Sequence, residues 1–325
     1  MIIHPELRAL RRDDTPQRKA QEALYEAIGA WRSSEGVVDV ILDVEALDKG
    51  GCIEGCAALD ALFDEGNETA FRFVDGFVQA ATTCLAGSTL GHVPLRHFTD
   101  GTSSTLLLAR SGNVTLSLVA VDGDGFAERP EPVTADFPDN EVWERVMSGE
   151  AYVELVDRLL LENGATLLDS TGIELEPGRV LYRKGRRQAL LLREVSGCLV
   201  MLRLQRRRTD AGPNFEYDLS DGRLVHRAAG SPKDSRLELM MALAGRMNRI
   251  DAVPHMSAIA LGEGDRAVRW QAVRECLALD TLTGFETLNT LARSEADELS
   301  GIANALRSSL VEAHPQLAEM TACPA

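Results

Sequence analysis

The chain has 325 residues, 45% hydrophobic and 26% charged, the make-up of an ordinary globular protein long enough for two or three domains. Its formal net charge of -16 argues against nonspecific nucleic-acid binding, because most of such a surface repels phosphate. No stretch reaches the roughly 18 apolar residues that span a bilayer. The opening Met1-Ile2-Ile3-His4-Pro5 turns charged without an apolar export core, so a cytoplasmic protein with no membrane or nucleic-acid partner is expected.

The first part of the chain, residues 1–87, reads as helical. Thr15-Pro16 is a start signal, and Leu24, Ala27, Ile28 and Trp31 then share a helical face. Val37 to Leu47 suits either a strand or a helix. A helix is expected from about Cys52 to Phe63, burying Cys52, Cys56, Leu59 and Phe63. Asn67 caps the next one, whose apolar face is Val74, Phe77, Val78, Ala81 and Leu85.

From 88 to 230 the period changes to two. Thr105 to Ala109 and Val114 to Val119 flank Arg110-Ser111-Gly112-Asn113, a hairpin with a strong turn. Further strands are expected over Ala151–Val156, Gly172–Leu175, Val180–Arg183, Ala189–Val195 and Leu199–Leu204. Turns fall at Pro177-Gly178, Lys184-Gly185, Ser196-Gly197 and Asp221-Gly222. Many short strands with glycine turns make a sandwich or barrel. The fold class is therefore α+β.

Residues 231–325 return to helical spacing after Gly230-Ser231-Pro232. Leu237, Met240, Met241, Ala244 and Met247 form one stripe, and Leu299, Ile302, Ala303, Leu306 and Leu310 another. Val253, Met256, Ile259 and Ala260 are matched about 32 residues on by Phe285, Leu288, Leu291 and Ala292. Asp265 is matched in the same way by Asp297. That period lies in the range of helical-hairpin arrays, which offer a docking surface rather than a built-in reaction. A protein partner is expected on these C-terminal helices.

Two resemblances follow. Val146-Met147-Ser148-Gly149-Glu150, then Leu175-Glu176-Pro177-Gly178-Arg179-Val180 leading to Ala189-Leu190-Leu191-Leu192, resembles the two motifs of cupin barrels. This implies an antiparallel double-sheet barrel over 88–230. Where the second motif carries its metal-binding histidine, this chain has Arg186-Arg187-Gln188-Ala189, and an H-x-H pair is absent. Asp265-Arg266-Ala267-Val268-Arg269-Trp270-Gln271-Ala272 is similar to the D-x-x-V-R-x-x-A pattern of HEAT repeats. The resemblance implies that Asp265 and Arg269 tie neighbouring repeats together.

The clearest chemical anomaly is a basic strip in an acidic chain: Arg179, Arg183, Lys184, Arg186, Arg187 and Arg193, then Arg203, Arg206, Arg207 and Arg208. Guanidinium forks match carboxylate and phosphate, so one reading is a site for a small anion or acidic peptide. The other is pairing with the abundant Asp and Glu inside the molecule. Arg186, Arg187, Arg206 and Arg207 are the expected ligand-binding residues.

The alternative is a metal-dependent cupin-type enzyme, an oxygenase or isomerase. It would hold iron, manganese or zinc on His92, His97, Glu144 and His226, with Glu150 as a further carboxylate. The five-residue interval from His92 to His97 matches no familiar ligand spacing. Cys52 and Cys56, four apart, would share a helix face, as a redox or metal pair or as small buried residues. The other cysteines are scattered, and reduced thiols are expected for all six. No catalytic triad, phosphate loop or G-x-S-x-G elbow is present. The sequence thus leans towards a non-catalytic adaptor or sensor without a cofactor.

Overall fold

The computed structural model describes residues 7–8, 10–87, 90–161, 165–208 and 212–317. Their contacts divide into two compact units, one of 1–210 with 216–225 and one of 211–215 with 226–325. No helix among the described residues is long and apolar enough to cross a membrane.

The first unit opens with helices α1 (Thr15–Arg32), α2 (Val37–Asp48) and α3 (Thr69–Gly87). The ambiguous apolar run is thus helix α2. Val37, Val40, Val44 and Leu47 turn to one side and are buried, a three-to-four spacing that only a helix can align. Asn67 accepts the Thr69 N–H at 2.9 Å and starts α3. Trp31 of α1 meets Phe73 and Phe77 of α3 with ring centroids 5.3 and 5.2 Å away.

The helix expected from Cys52 to Phe63 is broken into a 3-10 turn at Ile53–Gly55, a single α-turn at Ala57–Asp60 and another 3-10 turn at Ala61–Phe63. The break is local: Asp43 of α2 accepts the N–H groups of Ala58 and Leu59 through Oδ2 and holds this segment across the bundle.

The strands follow as β1 (His97–Thr99), β2 (Ser103–Ser111), β3 (Val114–Asp122), β4 (Thr134–Phe137), β5 (Asn140–Leu160), β6 (Thr166–Leu175), β7 (Val180–Lys184), β8 (Gln188–Arg207), β9 (Asn214–Asp218) and β10 (Leu224–Ala228). The large sheet runs β1-β2-β3-β8-β5-β6 with β7 also on β5, and a small one runs β10-β9-β4. The paired strands of the large sheet are antiparallel. The expected hairpin is β2–β3, with Gly112 at φ 42° in its turn. The sheet is open, and no pairing joins β1 to β6 among the described residues.

Ser196-Gly197 does not end a strand; β8 runs through it. Glu150 pairs with Ser196 while Ser148 pairs with Val200, so the extra residues are taken up as an irregularity in the β5–β8 ladder. Gly149 lies opposite at φ 84°, where an added Cβ would sit 2.2 Å from the Cys198 carbonyl oxygen. Here the two longest strands bend together. The bend is large enough for one turn to meet both ends of β5. The Gly185 N–H donates to the Asn140 oxygen at 2.8 Å, and the Arg158 N–H donates to the Arg187 oxygen at 2.7 Å.

Alternation along these strands makes two cores. One face carries Val114, Leu116, Trp143, Leu202 and Leu204 into a single cluster with the helices. The other carries Val119, Val121, Val146, Ala151, Val153, Leu199 and Met201 into a second cluster. Arg145 lies on the helix-facing side, 1% exposed. It donates to the carbonyls of Leu62, Asp64 and Asn67 at 3.3, 2.6 and 2.6 Å. One guanidinium thereby serves three carbonyls of the turn that leads into α3.

The second unit contains α4 (Pro232–Arg246), α5 (Val253–Leu261), α6 (Arg266–Leu279), α7 (Thr281–Arg293) and α8 (Ser300–Ala313). Ser231 caps α4, and Asp265 caps α6 through the N–H groups of Ala267 and Val268. Val253, Met256 and Ala260 of α5 are buried, as are Phe285, Leu288 and Ala292 of α7. Arg269, 7% exposed, donates to the Ala260 carbonyl at 3.1 Å and pairs with Asp297. It thus links α5, α6 and the turn before α8. Of the expected α4 stripe, Met241 is in the core, while Met240 and Met247 are exposed.

Candidate functional site

A cleft of about 860 Å³ opens between the start of β5, the β7–β8 turn and the end of β8. Asp139, Asn140 and Glu141 come from the start of β5, Lys184, Arg186 and Arg187 from the turn, and Arg206, Arg207 and Arg208 from the end of β8. Asp48 at the end of α2 and Asn113 of the β2–β3 turn complete it. The four arginines singled out from the sequence, Arg186, Arg187, Arg206 and Arg207, all line this one cleft.

Their environments differ. Arg206 donates to Glu141 Oε2 from Nε at 2.8 Å and to the Gly51 carbonyl from a terminal nitrogen at 2.7 Å. Arg186 stands 3.5 Å from Asp139 with half its side chain exposed. Lys184, Arg187 and Arg207 make no side-chain ion pair among the described residues. Arg207 is held by its backbone, whose N–H donates to the Asn113 oxygen at 3.0 Å.

The carboxylates at the cleft already have donors. Asp48 accepts from the Ser111 hydroxyl at 3.1 Å and from the Asn113 N–H at 2.9 Å. Glu141 holds Arg206 and accepts the Tyr182 hydroxyl at 3.0 Å. Burial, with help from that hydrogen bond, pushes the Tyr182 phenol up to about 12. Asn140 is 7% exposed, and its buried Oδ1 has no hydrogen-bond partner among the described residues. The cleft can therefore offer cationic donors to an anion without first releasing Arg187 or Arg207 from a partner.

The rest of the basic strip is consumed inside the molecule. Glu144 is 2% exposed and lies opposite Arg203 in the β5–β8 register. It pairs with Arg203 at 2.6 Å and also with Arg183. Burial raises the Glu144 carboxyl, but the charges and hydrogen bonds of Arg203 and Arg183 outweigh it and bring the group from its ordinary 4.5 down to about 2. Arg193 pairs with Glu154 at 2.9 Å, and Arg179 lies 3.7 Å from Glu65.

This pairing bears on the metal set read from the sequence. Both Glu144 oxygens already accept from guanidinium groups. His92 and His97 are exposed, and the His97 ring lies 3.5 Å from the Leu95 carbonyl. Glu150 is exposed, and His226 belongs to the other unit. No group of three His, Cys, Asp or Glu that could hold a metal is found among the described residues. The four positions His92, His97, Glu144 and His226 are not drawn into such a group.

Cys52 and Cys56 do not share a helix face, as their spacing suggested. Cys52 is exposed in extended backbone before the first 3-10 turn. Cys56 is buried, its thiol donates to the Asp43 carbonyl at 3.6 Å, and burial raises its pKa. The five cysteines among the described residues are free thiols, and Cys323 lies outside those residues. The sequence reading missed Asn140 and Asp48 at the cleft. Nothing local distinguishes them, since each gains its place from a strand or helix end brought in from far along the chain.

The sequence matches no protein-family model and no curated protein. Solved structures similar to part of it include a cupin superfamily protein from Desulfitobacterium hafniense DCB-2, with 17% identity, 34% of this chain and 83% of that one covered, and a TM-score of 0.24. A sugar phosphate isomerase from a cupin superfamily of Silicibacter pomeroyi DSS-3 has 13% identity, 38% and 76% coverage and a TM-score of 0.23. KdgF from Halomonas sp. has 15% identity, 35% and 91% coverage and a TM-score of 0.24. Each of these matches extends over little more than a third of this chain.

Proposed function

We propose that this chain is a non-catalytic, cytoplasmic binding protein, an adaptor or sensor, that holds a small anion or an acidic peptide in the cleft of the first unit. Arg186, Arg187, Arg206 and Arg207 are its anion contacts, and Lys184 adds a fifth cation. The observation that carries the reading is the presence of Lys184, Arg187 and Arg207 at one cleft with no ion pair among the described residues. In a chain with fifty acidic residues, these cations stand without a carboxylate partner among the described residues. The C-terminal helices, with their HEAT-like pattern, serve as a protein-docking face.

The test is calorimetric titration of the full chain with inorganic phosphate and with an oligoglutamate peptide over a salt series. Binding that weakens as salt rises supports the reading, because exposed ion pairs are screened. Converting Arg186, Arg187, Arg206 and Arg207 together to Ser should weaken binding at least about tenfold and flatten the salt dependence. Equal affinity and an equal salt slope in that variant would remove the cleft from the account.

A further inference from the structure

The second unit presents a face that its own core leaves unused. Leu239, Met240, Leu243, Met247 and Ile250 are 70%, 65%, 54%, 56% and 58% exposed. Leu239 and Leu243 lie one turn apart on α4, and Met240, Leu243 and Met247 follow the three- and four-residue steps of one helical stripe. Met241, on the opposite side, is 3% exposed and is part of the helical core. The exposed stripe is therefore a second apolar face on a helix whose first is already packed. Contiguous apolar surface of this kind marks interaction sites, and two methionines give it an adaptable relief.

Along α4 itself the polar rim of this face is cationic; at its far end, next to Ile250, stands the exposed carboxylate of Asp251. Lys233, Arg236 and Arg246 are exposed beside the stripe and make no ion pair among the described residues. Arg249 is paired with Asp251 at 2.6 Å. Every carboxylate between 232 and 250 is half-buried: Asp234 accepts the Ser231 hydroxyl at 2.7 Å, and the backbone oxygen of Glu238 accepts from Gln271 of α6 at 3.1 Å. In a chain of net charge -16, an exposed helix face with cations and no carboxylate is a local reversal of the surface.

We propose that this face of α4 docks an acidic amphipathic helix of a partner protein. The partner's apolar residues at helical spacing pack on Leu239, Met240, Leu243 and Met247, and its Asp or Glu rim meets Lys233, Arg236 and Arg246. The assignment rests on the docking reading of the C-terminal helices and gives it a place and a chemistry. A second copy of the same face is a poor occupant, since the three cations would oppose their own kind. An anionic membrane surface is also disfavoured, because the rest of the chain is acidic and would be repelled.

The probe is a fluorescent peptide of about 18 residues, slightly longer than α4, with Leu at helical spacing and Glu on its flanks. Fluorescence anisotropy with the full chain should show saturable binding that weakens with salt. The same peptide with Lys in place of Glu should bind at least about tenfold more weakly. Leu243→Asp, and separately the triple change Lys233→Glu, Arg236→Glu and Arg246→Glu, should each cost about tenfold or more. These side chains are exposed, and an unchanged melting temperature will confirm that the variants fold.

In the background of Arg186, Arg187, Arg206 and Arg207 changed to Ser, where the cleft no longer takes up acidic peptide, the losses caused by Leu243→Asp and by the triple change should persist, which separates this face from the cleft. Equal binding of the two peptides, or none, overturns the proposal. So does co-sedimentation with phosphatidylserine vesicles without peptide binding, or self-association abolished by Leu243→Asp. If Leu243→Asp still binds and Leu282→Asp on α7 does not, the helices dock a protein through another face.

Discussion

Two groups of arginines from the same strands meet opposite fates. On the face of the large sheet opposite the helix-facing one, Arg183 and Arg203 close on Glu144, which is 2% exposed. At the cleft, Arg187 and Arg207 project from the turn before β8 and from its last residue, without an ion pair among the described residues. The difference teaches that a run of like charge in a sequence is not one feature. Arg203 and Arg207, four apart on β8, share a face, but only Arg203 stands opposite Glu144 in the register; Arg207 stands opposite Asn140 at the strand's last residue, so place along the strand decides which cation meets a carboxylate. The buried group has to be neutralised, because a charge removed from water costs several kcal/mol unless it is paired. The cleft pair is less enclosed, Arg187 exposed and Arg207 half-buried, so a carboxylate partner is not required of it.

Substitutions sharpen this contrast, beginning with the largest effect. Glu144→Ala strands Arg183 and Arg203 on that face and should cost about 3–5 kcal/mol in urea unfolding. A cost below about 1 kcal/mol, the scale of exposed pairs, would mean that the three groups are solvated and that the contrast is false. Arg145→Met should follow at about 3 kcal/mol. It leaves the carbonyls of Leu62, Asp64 and Asn67 without their donor in a buried turn. The loss should be accompanied by faster hydrogen exchange at the start of α3.

The pH response is next. The folded Glu144 pKa of about 2 lies below its ordinary 4.5, so its ion pairs contribute full stability above about 4.5. That contribution is lost as pH falls through about 2, where the folded state also takes up the proton. Acid unfolding of the wild type should therefore steepen between these values. Glu144→Gln should flatten the response in this window, and an unchanged slope would assign the acid sensitivity to other carboxylates.

The smallest effects belong to the cleft. Arg206→Ser removes a part-buried pair with Glu141 and should cost about 1–2 kcal/mol. Arg187→Ser and Arg207→Ser should stay within about 0.5 kcal/mol while weakening anion binding. If Arg207→Ser destabilises as much as Arg206→Ser, the two arginines are alike and the cleft has no open cation there.

Local physics made much of this molecule legible from its sequence. Ser231 and Asp265 announce helix starts that need only the next few residues, whereas Thr15-Pro16 marks the start of α1 without capping it: Thr15 is the first helical residue, and Asp14 before it makes no side-chain cap hydrogen bond. Gly112 announces the β2–β3 turn because its φ is positive. The 32-residue match of Val253, Met256 and Ala260 with Phe285, Leu288 and Ala292 reappears as one buried core, because helical spacing alone selects which side chains face inward. The basic strip could be seen, and so could the four arginines that now share a cleft.

Tertiary structure decided what became of those residues. The carboxylates that take up Arg183, Arg203 and Arg206 lie 39, 59 and 65 positions away, a distance over which no sequence pattern can choose partners. Ser196-Gly197 has the composition of a turn but sits within a bent ladder, since strand pairing across β5 outweighs the local preference. Cys52 and Cys56 have helical spacing, but Asp43 pulls the backbone between α2 and α3 into short turns. Spacing along a chain determines which side chains share a face. Only the packing of distant segments determines whether that face meets a counter-charge, a core or water.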